Sequence, residues 1–128
     1  EVIDWTLPCP AIADRKRPLS ARTIQKIELG GMKSSQPFLV PYNRTSTVCS
    51  IDEPLRTLTT RDRFGVAFPD SGRSVGFRML QPHEMAAAMG FPHGYRFSGS
   101  KKEVVRQIGN AVEVNMARSL CEAIIQAF

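Results

Sequence analysis

No stretch of the chain approaches the ~18 consecutive apolar residues that mark a membrane-spanning helix, so no span is expected. The opening residues, Glu1-Val2-Ile3-Asp4-Trp5, carry neither a basic n-region nor an apolar h-region, and no signal peptide is expected. Cysteine is scarce. Cys9, Cys49 and Cys121 are odd in number, widely spaced and without a C-x-x-C pair, which argues against a zinc site or disulfide framework and fits a reducing cytoplasm. His83 and His93 have no neighbouring cysteine or acidic cluster, so no metal ligands are expected. Both phosphate-cradling glycine motifs, G-x-x-x-x-G-K-S/T and G-x-G-x-x-G, are absent. No Ser-His-Asp or Cys-His order points to a nucleophile, and the carboxylates are scattered over turns and exposed helix faces. No catalytic residue is therefore assigned.

What is present is a 128-residue chain of globular composition, 42% hydrophobic and 23% charged, long enough for one domain with a modest core. It is short for an enzyme that must hold a sheet, a cofactor site and catalytic groups together. The net charge of +5 favours an anionic partner, usually nucleic acid, and is equally consistent with a soluble protein that is merely basic. Arg56, Arg61, Arg63, Arg73 and Arg78 crowd residues 54–80 against Asp62 and Asp70, interleaved with Thr57, Thr59 and Thr60. Such residues can donate to phosphates, and arginine can read guanine edges. A solvated β-ribbon with ordinary surface charge has the same composition.

Local signals set out the elements. Residues 1–19 read as extended and irregular, broken by Pro8, Pro10 and Pro18, with Asp14-Arg15-Lys16-Arg17 as a charged, solvated turn. Ser20 is an N-cap for a helix carrying Ile24, Ile27 and Met32 on one side and ended by Gly30-Gly31. Phe38–Val40 and Phe64–Phe68 have strand length, Thr45–Ile51 alternates, Asp52-Glu53-Pro54 turns, and residues 69–76 read as a loop. Pro82 suits position N1 of a helix to Met89, with Gly90 past its end and Pro92 as the stop. Ser100 and Glu103 form a capping box for a second helix. A third is expected from Asn110, its N-cap, with Glu113 at N3. Its apolar stripe, Val112, Met116, Leu120 and Ile124 with Ala117, Cys121 and Ala127, is expected to pack on the Pro82–Met89 helix or on another copy of the chain. The fold class is α+β: a small antiparallel sheet with a C-terminal cluster of three helices. Met79, Leu80, Met85 and Met89 are expected in the core, with Phe91, Tyr95 and Phe97 beside them.

Two stretches add a family signal. Arg78-Met79-Leu80-Gln81-Pro82-His83-Glu84-Met85-Ala86-Ala87-Ala88-Met89-Gly90-Phe91-Pro92, followed after a gap by Gln107-Ile108-Gly109-Asn110-Ala111-Val112, resembles motifs IX and X of the DNA cytosine-5 methyltransferases: an R-x-L-x-P-x-E-x-A helix ending in G-F-P, then Q-I-G-N-A-V opening a helix. Upstream, Ile3-Asp4-Trp5, Arg17-Pro18-Leu19-Ser20 and Asp52-Glu53-Pro54-Leu55-Arg56-Thr57-Leu58-Thr59-Thr60-Arg61 are similar to that family's target-recognition region. The resemblance implies a partial recognition region over residues 1–77 and a motif IX and X segment over 78–128. The family's F-x-G-x-G loop, P-C-Q nucleophile, E-N-V glutamate and Q-x-R-x-R arginines do not occur in this sequence. Pro8-Cys9-Pro10 matches the nucleophile motif only in Pro-Cys, and Cys9 reads as an ordinary thiol.

The resemblance therefore implies the C-terminal DNA-recognition fragment of an enzyme that moves a methyl group from S-adenosylmethionine to C5 of cytosine, inactive by itself. It implies double-stranded DNA and a missing N-terminal catalytic domain as partners, with a homodimer through the C-terminal helix as a further arrangement. The setting implied is a bacterial or phage-like cytoplasm, close to the nucleoid. Gly109, Asn110 and Ala111 would contact the cofactor, which is not expected to bind the fragment tightly; free N–H groups at a helix N-terminus would suit its carboxylate. Arg56, Thr57, Thr59, Thr60, Arg61 and Arg63 would face DNA. Arg78 would support the recognition region, with Glu84 as a candidate partner. A stand-alone basic DNA-binding module and an inert structural fragment are the alternatives.

Overall fold

The computed structural model describes residues 2–42, 47–69 and 75–127. The expected Thr45–Ile51 alternation lies partly, and Asp70 and Arg73 wholly, outside them. Two compact units emerge: one from Trp5–Arg56 and Arg63–Leu80, the other from Glu1–Asp4, Thr57–Asp62 and Gln81–Phe128.

The first unit is a helix and a four-stranded antiparallel sheet, in keeping with the α+β expectation. Helix α1, Ala21–Lys33, starts at Ser20, whose Oγ accepts the Thr23 N–H at 3.3 Å. Contrary to the sequence reading, Gly30-Gly31 does not stop it: the helix runs to Lys33, and the Ser34 N–H still bonds the Gly30 carbonyl at 3.1 Å. Gly30 is there for space. A Cβ on it would stand 2.6 Å from Cζ of Phe38, whose ring lies against the helix. Ile27 is buried, whereas Met32, expected on the same side, is exposed.

Strands β1 (Phe38–Pro41), β2 (Cys49–Ser50), β3 (Phe64–Phe68) and β4 (Gly76–Met79) lie in the order β2-β1-β3-β4. Register is set by Leu39 opposite Val66 and Val66 opposite Arg78. The β4 strand falls where a loop was expected to end and a motif helix to begin. Arg78 is thus a buried strand residue, and the R-x-L-x-P-x-E-x-A motif bends from strand to helix at Leu80-Gln81. Ile27, Phe38, Val40, Ala67 and Phe77 form the core. Gly65 leaves room for the Phe77 ring, since a Cβ there would come within 2.5 Å of its Cε2.

The segment before α1 is tied in more firmly than a solvated stretch. Residues Ile12–Asp14 make one 3₁₀ turn. The Phe77 N–H donates to the Pro10 carbonyl at 3.1 Å, the Ile12 N–H donates to the Val75 carbonyl at 3.0 Å, and Ala11 bridges Gly76. Arg15 departs from the expected solvated cluster. Its guanidinium donates to the Phe77 carbonyl at 3.1 Å and lies 5.5 Å from the centre of the Phe77 ring, while Lys16 and Arg17 are exposed as expected. Cys9 is half-buried. Burial pushes its thiol pKa up, partly offset by Arg78 and Arg15, the opposite of an activated nucleophile.

The second unit holds α2 (Pro82–Ala88), α3 (Lys101–Asn110) and α4 (Val114–Ala127), the three expected C-terminal helices. Pro82 occupies the first turn of α2, and the Glu84 carboxylate reaches back to the Gln81 N–H at 2.7 Å. The helix closes as a Schellman motif: Gly90 N–H bonds the Ala87 carbonyl, Phe91 N–H bonds that of Ala86, and Gly90 takes φ 72°. The capping box of α3 forms as read, with Ser100 Oγ accepting from Glu103 N–H at 3.4 Å and Glu103 Oε2 accepting from Ser100 N–H at 2.7 Å. Leu80, of the first unit, and Met85 are fully buried; Met79 and Met89 are half-buried, and Tyr95 is exposed beside Phe91 and Phe97.

The start of α4 differs from the sequence reading. Asn110 ends α3 rather than capping the next helix, and Ala111 is extended at φ −76°, ψ 152°. Glu113 is itself the cap. Its carboxylate accepts the N–H groups of Asn115 at 3.1 Å and Met116 at 2.6 Å, which holds its pKa below the ordinary range. The Val114 N–H bonds the Met89 carbonyl at 3.0 Å, fixing α4 to the end of α2. Beyond this contact the expected packing fails: Val112, Met116, Leu120 and Ile124 are 58–63% exposed. Among the described residues nothing covers the stripe.

Candidate nucleic-acid interface

The residues proposed for DNA divide between the two units. Arg56 and Arg63 belong to the first, whereas Thr57, Thr59, Thr60 and Arg61 lie on a short segment of the second, Thr57–Asp62. That segment is built like a strap. Leu58 is buried and anchors it. The Thr59 hydroxyl donates to the Arg61 carbonyl at 3.1 Å and accepts the Arg61 N–H at 3.4 Å, closing a turn around the Arg61 backbone. Thr59 is therefore engaged locally, while Thr57, Thr60 and Arg61 are exposed. Arg56 is also exposed, and Arg63 is half-buried.

One close approach seats the strap on α3: a Cβ built on Gly109 would stand 2.6 Å from the Thr60 nitrogen and closer still to the Thr59 carbonyl. Asp62 feels the positive charge of Lys101, but the Lys101 ammonium donates to Gln81 Oε1 at 3.0 Å. Lys101, Val105, Ile108 and Gly109 occupy one face of the helix, at i, i+4, i+7 and i+8. Val105 and Ile108 are buried on that face. Thr59 and Thr60 thus sit against the carboxyl end of α3, and Arg61 follows directly in the chain.

Asp62 is a site residue that sequence reasoning missed. Its Oδ1 is buried with no hydrogen-bond partner among the described residues. Burial raises its pKa, and Lys101 offsets this only in part. A raised carboxyl pKa means that the native state takes up the proton more readily than the unfolded one. The charging penalty is absent below the ordinary carboxyl range and complete once the pH exceeds the raised value. Asp62→Asn is expected to raise the melting temperature at neutral pH, and the gain should vanish as the pH falls below about 4. A difference between variant and parent that stays the same from pH 3 to pH 8 would contradict this.

The expected cofactor residues sit at the carboxyl end of α3. Gly109 is occupied by the strap, Asn110 is exposed and Ala111 is half-buried in the extended link, its N–H donating to the Ile108 carbonyl at 3.1 Å. This end presents carbonyls and the negative pole of the helix, so it does not fit a carboxylate. The first free amides of α4 are no substitute, because Glu113 already holds those of Asn115 and Met116.

Among the described residues there is no group of three or more metal-ligating side chains, and no helix is long and apolar enough to cross a membrane. His83 instead pairs with Asp4, Nε2 to Oδ2, at 3.2 Å.

A family profile described as C-5 cytosine-specific DNA methylase matches residues 16–126. The chain is 34% identical over 91 residues to the type II methyltransferase M.HindV of Haemophilus influenzae, covering 66% of this chain and 30% of that protein. It is 30% identical over 101 residues to M.MspI of a Moraxella species, covering 79% and 23%. Over 51 residues it is 47% identical to the DNA (cytosine-5)-methyltransferase CMT2 of rice, 40% of this chain but 4% of that protein. The chain thus spans less than a third of the length of each of these relatives. No solved structure gives a significant match.

Proposed function

Because the chain belongs to the C-5 cytosine-specific DNA methylase family, we propose that it is the C-terminal DNA-recognition part of a DNA cytosine-5 methyltransferase and is inactive by itself. The observation that carries this reading is the family match over residues 16–126 in a sequence without the P-C-Q, E-N-V or F-x-G-x-G groups that methyl transfer requires. On this reading residues 1–77 are a partial recognition region and residues 78–128 carry motifs IX and X. The exposed α4 stripe is the surface that the catalytic part covers, in preference to a second copy of the chain.

Thr57, Thr60 and Arg61 then approach DNA, with Arg56 and Arg63 adding positive charge. Thr59 acts through its turn. S-adenosylmethionine supplies the methyl group when bound to the longer protein. With Gly109 turned to the strap, contacts from this segment fall to Asn110 and Ala111, and the carbonyl end of α3 suits the cofactor's ammonium rather than its carboxylate. A stand-alone basic DNA-binding module remains the second reading, favoured by the net charge of +5.

Duplex binding measured against salt concentration tests the DNA face. A base-edge contact by Arg61 should cost about 1–3 kcal/mol on Arg61→Ala and relax specificity at one position; a phosphate contact should lower the salt slope by about 1. Lys16→Ala and Arg17→Ala are the controls, since both side chains are exposed. Arg15 is unsuitable because it is bound to Phe77. Loss of binding in the Lys16 and Arg17 variants, with Arg61→Ala neutral, would place the DNA face elsewhere.

A further inference from the structure

We propose that Gly109 is a positioning residue for DNA recognition: its bare α-carbon seats the Thr59–Thr60 backbone on α3 and thereby fixes where Arg61 stands. This rests on the reading of the Thr57–Asp62 strap as DNA-facing. Glycine is a poor choice inside a helix, and its usual justification does not apply. Among the described glycines only Gly90 and Gly99 have positive φ, so Gly109 is not there for its backbone conformation. The reason is space. The atoms that a Cβ would meet, the Thr59 carbonyl and the Thr60 nitrogen, belong to backbone and cannot be relieved by a rotamer change.

Any side chain at this position must push the strap off α3. Moving the Thr60 nitrogen from 2.6 Å to ordinary contact at about 3.5–4.0 Å is a displacement of roughly 1 Å. The rest of the strap cannot follow freely, because Leu58 is buried and Asp62 is half-buried. The strain therefore falls on Thr60 and Arg61. Arg61 has its N–H and its carbonyl both tied to the Thr59 hydroxyl, so its backbone moves with the turn while its side chain remains exposed. Gly109 touches no DNA on this account and acts through Arg61.

The test uses the purified 128-residue chain, a labelled duplex of mixed sequence, and fluorescence anisotropy over a salt series, with thermal unfolding in parallel. Gly109→Ala is expected to weaken binding several-fold and to lower the salt slope by about as much as Arg61→Ala does. In the Arg61→Ala background it should weaken binding no further, the non-additivity that marks two residues acting through one contact. A folded Gly109→Ala that binds normally, or whose loss adds in full to that of Arg61→Ala, overturns the proposal. Should Gly109→Ala not fold, Thr59→Ala loosens the same turn from the exposed side. The same non-additivity with Arg61→Ala is expected, and additive or absent effects overturn the proposal. A neutral Arg61→Ala overturns the DNA-facing reading itself, whatever Gly109 does.

Discussion

Glu84→Ala is expected to cost about 3–5 kcal/mol of folding stability, read as a lower urea midpoint at unchanged slope. Glu84 is fully buried. One carboxylate oxygen accepts the Asp4 N–H at 2.9 Å and the other accepts the Gln81 N–H at 2.7 Å. Alanine removes the carboxylate that both half-buried N–H groups donate to and opens a void, and each hydrogen bond to a charged group contributes about 1.5–3 kcal/mol. Glu84→Gln separates charge from geometry. An amide has one acceptor oxygen, so one of the two N–H groups would meet an NH₂ instead, and only part of the loss should return. A loss below about 1 kcal/mol on Glu84→Ala would mean that this carboxylate does not organise the start of α2.

Phe77→Ala is expected to cost a similar ~3–5 kcal/mol in the sheet unit. The ring is fully buried, fills the space left by Gly65 and lies under the Arg15 guanidinium. Against a total of about 5–15 kcal/mol for a domain of this size, the loss would leave the sheet marginal. Gly65→Ala alone should also destabilise, because its methyl would collide with the ring. In the Phe77→Ala background the same methyl enters the vacated space, so the double variant should be more stable than the two losses added together. Thermal unfolding of the four proteins reads this directly, and strict additivity would show that Gly65 is not serving the ring.

The contrast between Ser100 and Asn110 shows which parts of the fold were legible in the sequence. Ser100 and Glu103 cap each other within one turn, so spacing alone is enough. Pro82 and Gly90 mark the limits of α2 for equally local reasons. Asn110 misled because Glu113, three residues on, caps α4 alone with both carboxylate oxygens. Gly30 misled for a different reason. A helix stop and a close approach use the same residue, and only the distant neighbour, Phe38, tells them apart. The β4 strand was missed because it carries the charged Arg78 next to a loop, and its burial depends on pairing with β3. In the candidate site, the arginine and threonines of residues 57–61 stand out in the composition, but the seat that Gly109 makes for Thr59 and Thr60 joins segments far apart in the chain.

The segment around Ala11 governs when the sheet is finished. Strand β4 is the last in the sheet order, and residues 10–12 lie along its outer side through the bonds to Val75 and Phe77. The order of synthesis delivers these residues first and β4 long afterwards, so the outer side stays open until the chain has closed a long loop. During that interval it offers unpaired N–H and C=O groups to other nascent chains, the usual start of association between strands. Once closed, the new border is only the short stretch around Ala11, cut off by the 3₁₀ turn of Ile12–Asp14, and growth of the sheet in that direction is poorly supported. The hazard of this edge is therefore one of timing, greatest while the chain is being made.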